Sequence, residues 1–219
     1  MKNFNKVIFL VCGIVLTLAG FPVSAQEQKS VGEYQMSQKP LDNLAKLVRR
    51  ETAAGKVDLT KPFSIELEGV LNNNGRLDAK KSKFNKTAGD AAMIEIGKSF
   101  IEAVSDSGFL SYLKSFGVEK LNLTLVQDDN QIYAGVVGEV ETSQRAASIS
   151  KSLNSAAQIG RTRKDEMKNL RNDEKILISG LKASSDGKTL VIKVAYEKSV
   201  IQELINRMLK ESEVKQSSE

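Results

Sequence analysis

The chain has 219 residues, of which 41% are hydrophobic and 27% are charged, and its formal net charge is +5. It contains no histidine, which excludes Ser-His-Asp and Cys-His catalysis and the most common transition-metal ligand. Basic and acidic residues are interleaved along most of the sequence, and only 5% of the residues are aromatic. We therefore expect neither the one-sided basic surface nor the base-stacking platform of a nucleic-acid-binding protein.

Residues 1–25 have the layout of a secretory signal. Lys2 and Lys6 precede a mostly apolar run, and Val23 and Ala25 stand at the positions before a cleavage site. The alternative is that this segment stays uncleaved as a membrane anchor, which would be the protein's only contact with the membrane. The apolar run is, however, shorter than the roughly 20 residues of a spanning helix. We expect cleavage after Ala25 and a periplasmic or cell-envelope location. The mature chain would have 194 residues, a net charge of +3 and no cysteine.

Residues 26–61 are predicted to be a polar linker that contains one short helix. Helical spacing relates the apolar residues Leu41, Leu44, Leu47 and Val48. We expect a helix over about residues 40–54 that docks loosely on the following domain. At the other end of the chain, residues 213–219 are predicted to be a disordered tail.

From Phe63 onwards the hydrophobic period changes from helical spacing to a period of two. The stretch FSIELEGVLNNNGRLD predicts a strand, a turn at NNNG and the start of a second strand. Two later stretches, LNLTLVQDDNQIYAGVV and ILISGLKASSDGKTLVIKV, have the same pattern at a spacing of about 56 residues. Their turns are predicted at DDNQ (128–131) and SSDG (184–187).

A helical period follows each predicted hairpin. The first helix buries Met93, Ile96, Phe100, Ile101 and Val104, and a second apolar piece contains Leu110 and Leu113. The second helix has Thr142 or Ser143 as its N-cap and buries Ala146, Ile149, Leu153, Ala156 and Ala157. The third helix begins near Ser199 and buries Ile201, Leu204, Ile205 and Met208.

These patterns predict an α+β fold made of three ββα repeats with a period of about 56 residues. The units, residues 62–117, 118–173 and 174–212, would form a single domain, because each unit needs its neighbours to complete a core. We expect one antiparallel-rich sheet with the helices on one face. The charged run Arg161–Glu174 is expected to be a solvated helix end or loop.

Candidate catalytic and metal-binding groups are few and of low specificity. A serine three residues before a lysine occurs at Ser111/Lys114, Ser148/Lys151, Ser179/Lys182 and Ser185/Lys188. Carboxylate pairs occur at Asp128/Asp129, Glu139/Glu141 and Asp165/Glu166. A calcium contact at Asp128, Asp129 and Asn130 would have too few oxygen ligands for a dedicated site. We predict no catalytic, cofactor-binding or metal-binding residue.

The run from Phe63 to Val104 resembles the C-terminal domain of TonB/TolA-type periplasmic proteins. The likeness consists of an alternating strand, an Asn-rich turn that ends in Gly75, a second strand, the pair Gly89-Asp90 and a helix. The resemblance implies an envelope protein that acts through contact, often by strand exchange at a sheet edge. The chain departs from that family in having three prolines in total instead of a long Pro-rich spacer.

We therefore expect an exported, non-enzymatic, TonB-like binding or protein-interaction module. Its expected partner is an envelope protein or a cell-wall polymer. The surface to be tested is an exposed sheet edge or the helix-free face of the sheet, where the alternation places Ser64, Glu66, Glu68, Asn122 and Thr124. The alternatives are a small carboxylate-based hydrolase or glycan-acting enzyme, and a purely structural or stress-related envelope protein.

Overall fold

The computed structural model of the protein describes residue 37 and residues 39–162, 180–201 and 203. The elements in chain order are α1 (Lys39–Ala53), β1 (Phe63–Val70), β2 (Lys83–Gly89), α2 (Ala91–Asp106), α3 (Ser111–Ser115), β3 (Lys120–Gln127), β4 (Gln131–Glu139), α4 (Ser143–Thr162), β5 (Leu181–Asp186) and β6 (Thr189–Glu197). Residues 198–201 are also helical. The rest of the predicted third helix, most of the charged run, the signal and the tail lie outside the described residues.

The six strands form one antiparallel sheet in the order β2-β1-β3-β4-β6-β5. The predicted α+β class with an antiparallel sheet is therefore confirmed. Each predicted hairpin supplies two neighbouring strands. The middle hairpin runs across the sheet in the opposite sense to the other two, because β3 precedes β4 in the order whereas β2 precedes β1 and β6 precedes β5.

Alternating side chains divide the sheet into a buried face and a face that no helix of the described residues covers, which is called the helix-free face. On β1, Phe63, Ile65 and Leu67 are buried. They are aligned with Gln127, Leu125 and Leu123 of β3. Helix α2 covers this face closely, because a Cβ atom on Gly97 would lie 2.7 Å from the Phe63 ring. Helix α4 extends the same layer over β5 and β6 through a second cluster that includes Leu153, Ala157, Leu181, Ala183 and Tyr196.

Helix α1 is part of the core. Leu41, Leu44 and Ala45 are 2%, 6% and 1% exposed, and Leu41 and Leu44 belong to the main hydrophobic cluster. The expectation of a loosely docked helix was therefore wrong. An amphipathic helix of four turns whose apolar side packs against α2 excludes water from that side.

Side-chain caps begin α2 and α4, and the cap of α4 was predicted from the sequence. The Asp90 carboxylate accepts a hydrogen bond of 2.9 Å from the backbone N–H of Met93. Thr142, one of the two predicted caps, accepts a hydrogen bond of 3.1 Å from the backbone N–H of Arg145 through its hydroxyl. Each cap pairs a donor that would otherwise be unpaired in the first turn of the helix.

The three hairpin connections differ in length, although their sequence patterns are spaced by about 56 residues. Residues 71–82 connect β1 to β2, residues 128–130 connect β3 to β4, and residues 187–188 connect β5 to β6. The predicted second strand after NNNG is reduced to one bridge between Leu71 and Leu77, and β2 begins only at Lys83. Three residues of the predicted turn SSDG, 184–186, belong to β5.

The NNNG turn is fixed by local hydrogen bonds and by contact with α3. The Asn72 carboxamide oxygen accepts from the backbone N–H groups of Asn74 and Arg76 at 2.9 and 3.1 Å. Gly75 has φ +68°, and a Cβ atom there would lie 2.8 Å from Cβ of Ser111. Glycine is therefore required both by the left-handed backbone and by the close approach to the α3 backbone.

We predict that Gly75→Ala destabilises the protein more than Gly55→Ala. Both glycines have φ +68°, but a Cβ atom on Gly55 would have nothing within 4 Å. The left-handed conformation should cost each variant about 1 kcal/mol, and overpacking against Ser111 should bring the loss for Gly75→Ala to about 3 kcal/mol. Urea unfolding of the two variants measures the difference. Equal losses would show that the Ser111 contact contributes nothing.

The helix-free face as a candidate interaction surface

The five residues predicted to form an interaction face lie side by side on β1 and β3. Glu66 is directly opposite Thr124, and Glu68 is directly opposite Asn122. Ser64 is opposite Val126 at the end of the same two strands. Glu66, Glu68 and Asn122 are exposed, whereas Ser64 and Thr124 are partly exposed. The structure thus brings the set together as one polar patch.

The two carboxylates of this patch already have polar neighbours on β2. The Glu66 carboxylate lies 3.3 Å from the Lys86 ammonium group, and Glu68 accepts a hydrogen bond of 3.3 Å from the Asn85 carboxamide. Both contacts are solvent-exposed, and such pairs contribute little to stability. The Lys86 charge offsets that of Glu66, and the neutral Asn85 carboxamide supplies one hydrogen bond to Glu68.

An apolar strip lies in the centre of the face and was not identified from the sequence. The Tyr133 ring lies over Gly135, because a Cβ atom on Gly135 would be 2.9 Å from Cζ of Tyr133. Val126 is opposite Tyr133, and Val137 is opposite Val191. Val137 is 36% exposed, which makes it one of the most exposed large apolar side chains in the described residues. An aromatic ring that covers a strand glycine is the sequence signal that could have located this strip.

The two edges of the sheet differ in their access to a further strand. On β5, the Asn154 carboxamide donates to the Ala183 carbonyl at 2.7 Å and accepts from the Ala183 N–H at 2.9 Å. Arg161 donates to the Leu181 carbonyl at 2.7 Å. Side chains of α4 thus take the place of a neighbouring strand. The β2 edge is exposed at every residue except Phe84, but two lysines and a bulge make it a poor template for strand addition.

A buried ammonium group and a buried carboxamide hold together one end of the sheet. Lys198 is 8% exposed and donates to the carbonyls of Thr60 and Asp128 at 2.6 and 2.9 Å. Gln127 is 5% exposed and donates to the carbonyls of Leu59 and Lys61 at 2.9 and 2.8 Å. These contacts tie the loop before β1 to the β3–β4 turn and to the end of β6.

The acidic residues near this end serve as turn acceptors. Asp128 accepts from the backbone N–H groups of Asn130 and Gln131, each at 2.7 Å. These bonds and the nearby Lys198 charge lower the pKa of Asp128. Hydrogen bonds from Thr60, together with the charges of Lys61 and Lys198, lower the pKa of Asp58. The ionised carboxyls therefore stabilise the fold above their ordinary pKa, and this effect is lost as the pH falls through the lowered values.

In two of the sequence pairs considered for catalysis, one member forms an ion pair with a residue outside the pair. The Ser111 side chain is 1% exposed beneath the NNNG turn, and Lys114 is paired with Glu119 at 3.1 Å. Glu141 is paired with Arg145 at 3.2 Å. Asp165, Glu166 and Ser179 lie outside the described residues. Within the part of the chain that the structure describes, no group of three or more Cys, Asp or Glu residues could hold a metal ion.

Two open grooves flank the helices. One, of about 620 Å³, lies between α1 and α2 and is lined in part by Lys39, Arg76, Glu102 and Asp106. The other, of about 740 Å³, lies between α4 and β5. None of the helices in the described ranges is long and apolar enough to span a membrane.

Comparison of the chain with protein-family models, with curated proteins and with solved structures finds no match.

We predict that Lys198→Met destabilises the fold by about 2 kcal/mol, because the carbonyls of Thr60 and Asp128 lose a charged donor in partly buried hydrogen bonds. Lys188→Met is the matched control, since Lys188 lies exposed in the β5–β6 turn. That control should change the free energy of unfolding by less than about 0.5 kcal/mol. Chemical denaturation of the two variants and the wild type provides the comparison. If Lys198→Met lowers the free energy of unfolding no more than the control does, the Lys198 hydrogen bonds do not stabilise this end of the sheet.

Proposed function

We propose that this protein is an exported, non-enzymatic interaction module of the bacterial cell envelope, and that it contacts its partner through the helix-free face of its sheet. The observation that supports this proposal most is the apolar strip of Val126, Tyr133, Val137 and Val191 on that face. A solvated sheet face normally carries polar side chains. Apolar side chains grouped there are typical of an interaction site.

The arrangement around the strip suits a protein or polymer partner. Ser64, Glu66, Glu68, Asn122 and Thr124 form a polar border on one side of it. Interfaces commonly have such an apolar centre and polar rim. The TonB/TolA-like character of residues 63–104 and the export signal at residues 1–25 belong to the same proposal. Contact through the sheet face is favoured over strand addition because the β5 edge is occupied by Asn154 and Arg161.

We also propose that the fold consists of three ββα repeats with a period of about 56 residues. The support is that each hairpin supplies an alternating apolar strand to the same buried face, and that a helix follows each of the first two. An experimental structure in which residues 199–212 do not pack as a helix on that face would contradict the repeat.

A carboxylate-based hydrolase is the second candidate function. Glu102 and Asp106 lie one turn apart on α2 and line the groove between α1 and α2 with Arg76. Both carboxylates are exposed, whereas a general acid usually needs a sheltered environment. Release of reducing ends from purified cell-wall glycan that is abolished by Glu102→Gln would favour this function over the interaction module.

We predict that a photoreactive amino acid at Asn122 forms a discrete adduct in intact cells, whereas one at Glu95 does not. Asn122 lies on the helix-free face, and Glu95 is an exposed residue of α2 on the other side of the sheet. Val137→Lys should weaken the Asn122 adduct, because it places a charge in the apolar strip. Immunoblotting detects the adducts, and mass spectrometry identifies the partner.

Three results would contradict the proposal. The first is the absence of any adduct from Asn122, which is also the result expected of a purely structural envelope protein. The second is the same set of adducts from Glu95, and the third is an Asn122 adduct that Val137→Lys leaves unchanged.

A further inference from the structure

Two lysines face each other at the β5 side of the helix-free face. Lys182 of β5 is directly opposite Lys193 of β6, and both side chains are exposed. On the other side of Lys193 the neighbouring residue is Gly135, which has no side chain. Asp186 and Glu197 share this face, but each is four residues along its strand, a separation of about 13 Å. Like charges directly opposite each other destabilise a sheet.

At the β1–β2 edge of the same face, residues of opposite charge face each other. There, Glu66 is opposite Lys86 and Glu68 is opposite Lys83. The Glu66–Lys86 pair forms a salt bridge of 3.3 Å, whereas neither Lys182 nor Lys193 forms an ion pair with any residue of the described ranges. Cross-strand charges are therefore matched at β1–β2 and unmatched at β5–β6.

The unmatched lysines adjoin the groove between α4 and β5. Lys182 lines this groove together with Lys151 and Arg161 of α4. The other lining residues are Ser150, Asn154, Ser155, Gln158 and Ile159. Five of the eight lining residues are therefore neutral, three are basic, and none is acidic. The groove thus combines positive charge with the exposed Ser155 hydroxyl and Gln158 carboxamide, which can donate hydrogen bonds.

We propose that this groove and the adjoining Lys182–Lys193 pair bind a linear polyanion that bears repeated phosphate groups. A chain is favoured over a bilayer because the site is a groove beside a helix rather than a flat or convex surface. A chain is favoured over a single ion because the cations extend over three elements, α4, β5 and β6. The cations of the site are separate side chains from those of the neighbouring apolar strip, so this inference does not depend on the proposed function.

The charge geometry gives a direct test with opposite effects on stability and on binding. Lys193→Glu places a carboxylate opposite Lys182, so the variant should unfold at a higher temperature than the wild type. The same change removes one cation of the site and adds a repulsive charge. Affinity for long-chain inorganic polyphosphate should therefore fall about tenfold. Lys193→Gln, which removes the charge without adding one, should give a smaller loss.

Lys188→Glu is the matched control, since it makes the same charge change in the same hairpin outside the groove. It should leave polyphosphate affinity within about twofold. Binding is measured with the purified mature chain by fluorescence anisotropy at several salt concentrations, because contacts with a polyanion weaken as salt rises. Binding of the same proteins to inorganic phosphate and to phosphatidylglycerol vesicles is also measured.

The outcomes separate this proposal from its alternatives. Binding to polyphosphate that Lys193→Glu weakens and Lys188→Glu does not would support the site. Equal losses for both variants would overturn it in favour of a general charge effect. No loss for Lys193→Glu would overturn it by showing that the polymer binds elsewhere. Binding to vesicles without binding to polyphosphate would replace it with a membrane contact. If millimolar inorganic phosphate competes as effectively as the polymer, the ligand of this site is a single anion and not a chain.

Discussion

The pairing of β1 with β3 is the interaction on which the rest of the structure depends. It runs without a break from Phe63 opposite Gln127 to Val70 opposite Lys120, and it joins the first hairpin to the second. Because side chains alternate with a period of two, a shift of one residue would turn Ile65 and Leu67 to solvent and bring Glu66 into the core. Burial of the apolar set by α2 therefore fixes the register.

That register also determines the composition of the helix-free face. Once β1 and β3 are aligned, the antiparallel ladders of β4, β6 and β5 continue the same rows across the sheet. One row contains Glu66, Thr124, Gly135, Lys193 and Lys182. The apolar strip and the lysine pair are thus neighbours on the face because core packing on the other side aligns their strands. The composition of the exposed face and the packing of the core therefore depend on the same strand register.

The sequence was most informative where a regular period met a local signal. The alternation at Phe63, Ile65 and Leu67 located β1, and Thr142 is an observed helix cap. The pattern could not show that β2 starts at Lys83, because residues 76–78 alternate like a strand although only Leu77 forms a bridge. Burial of α1 was missed because the polar segment around it gives no sign of the packing partner on α2.

Contacts between distant residues explain what sequence reasoning missed at the candidate site. Lys198 reaches Thr60 across 138 positions, and Asn154 reaches Ala183 across 29. The opposition of Lys182 and Lys193 requires the hairpin register, which was misplaced when SSDG was read as the turn. The polar patch on β1 and β3 could be predicted from the sequence, because alternation alone assigns those residues to one face.

Cysteine labelling in intact cells tests most directly whether the helix-free face is covered by a partner. The expected mature chain has no cysteine, so Asn122→Cys and Glu95→Cys each introduce a single thiol. We predict that a small maleimide labels Asn122→Cys several-fold more slowly in cells than in the purified protein, while Glu95→Cys reacts at the same rate in both after correction for reagent access. Equal relative rates at the two positions would show that the face is free in the cell and would contradict the account.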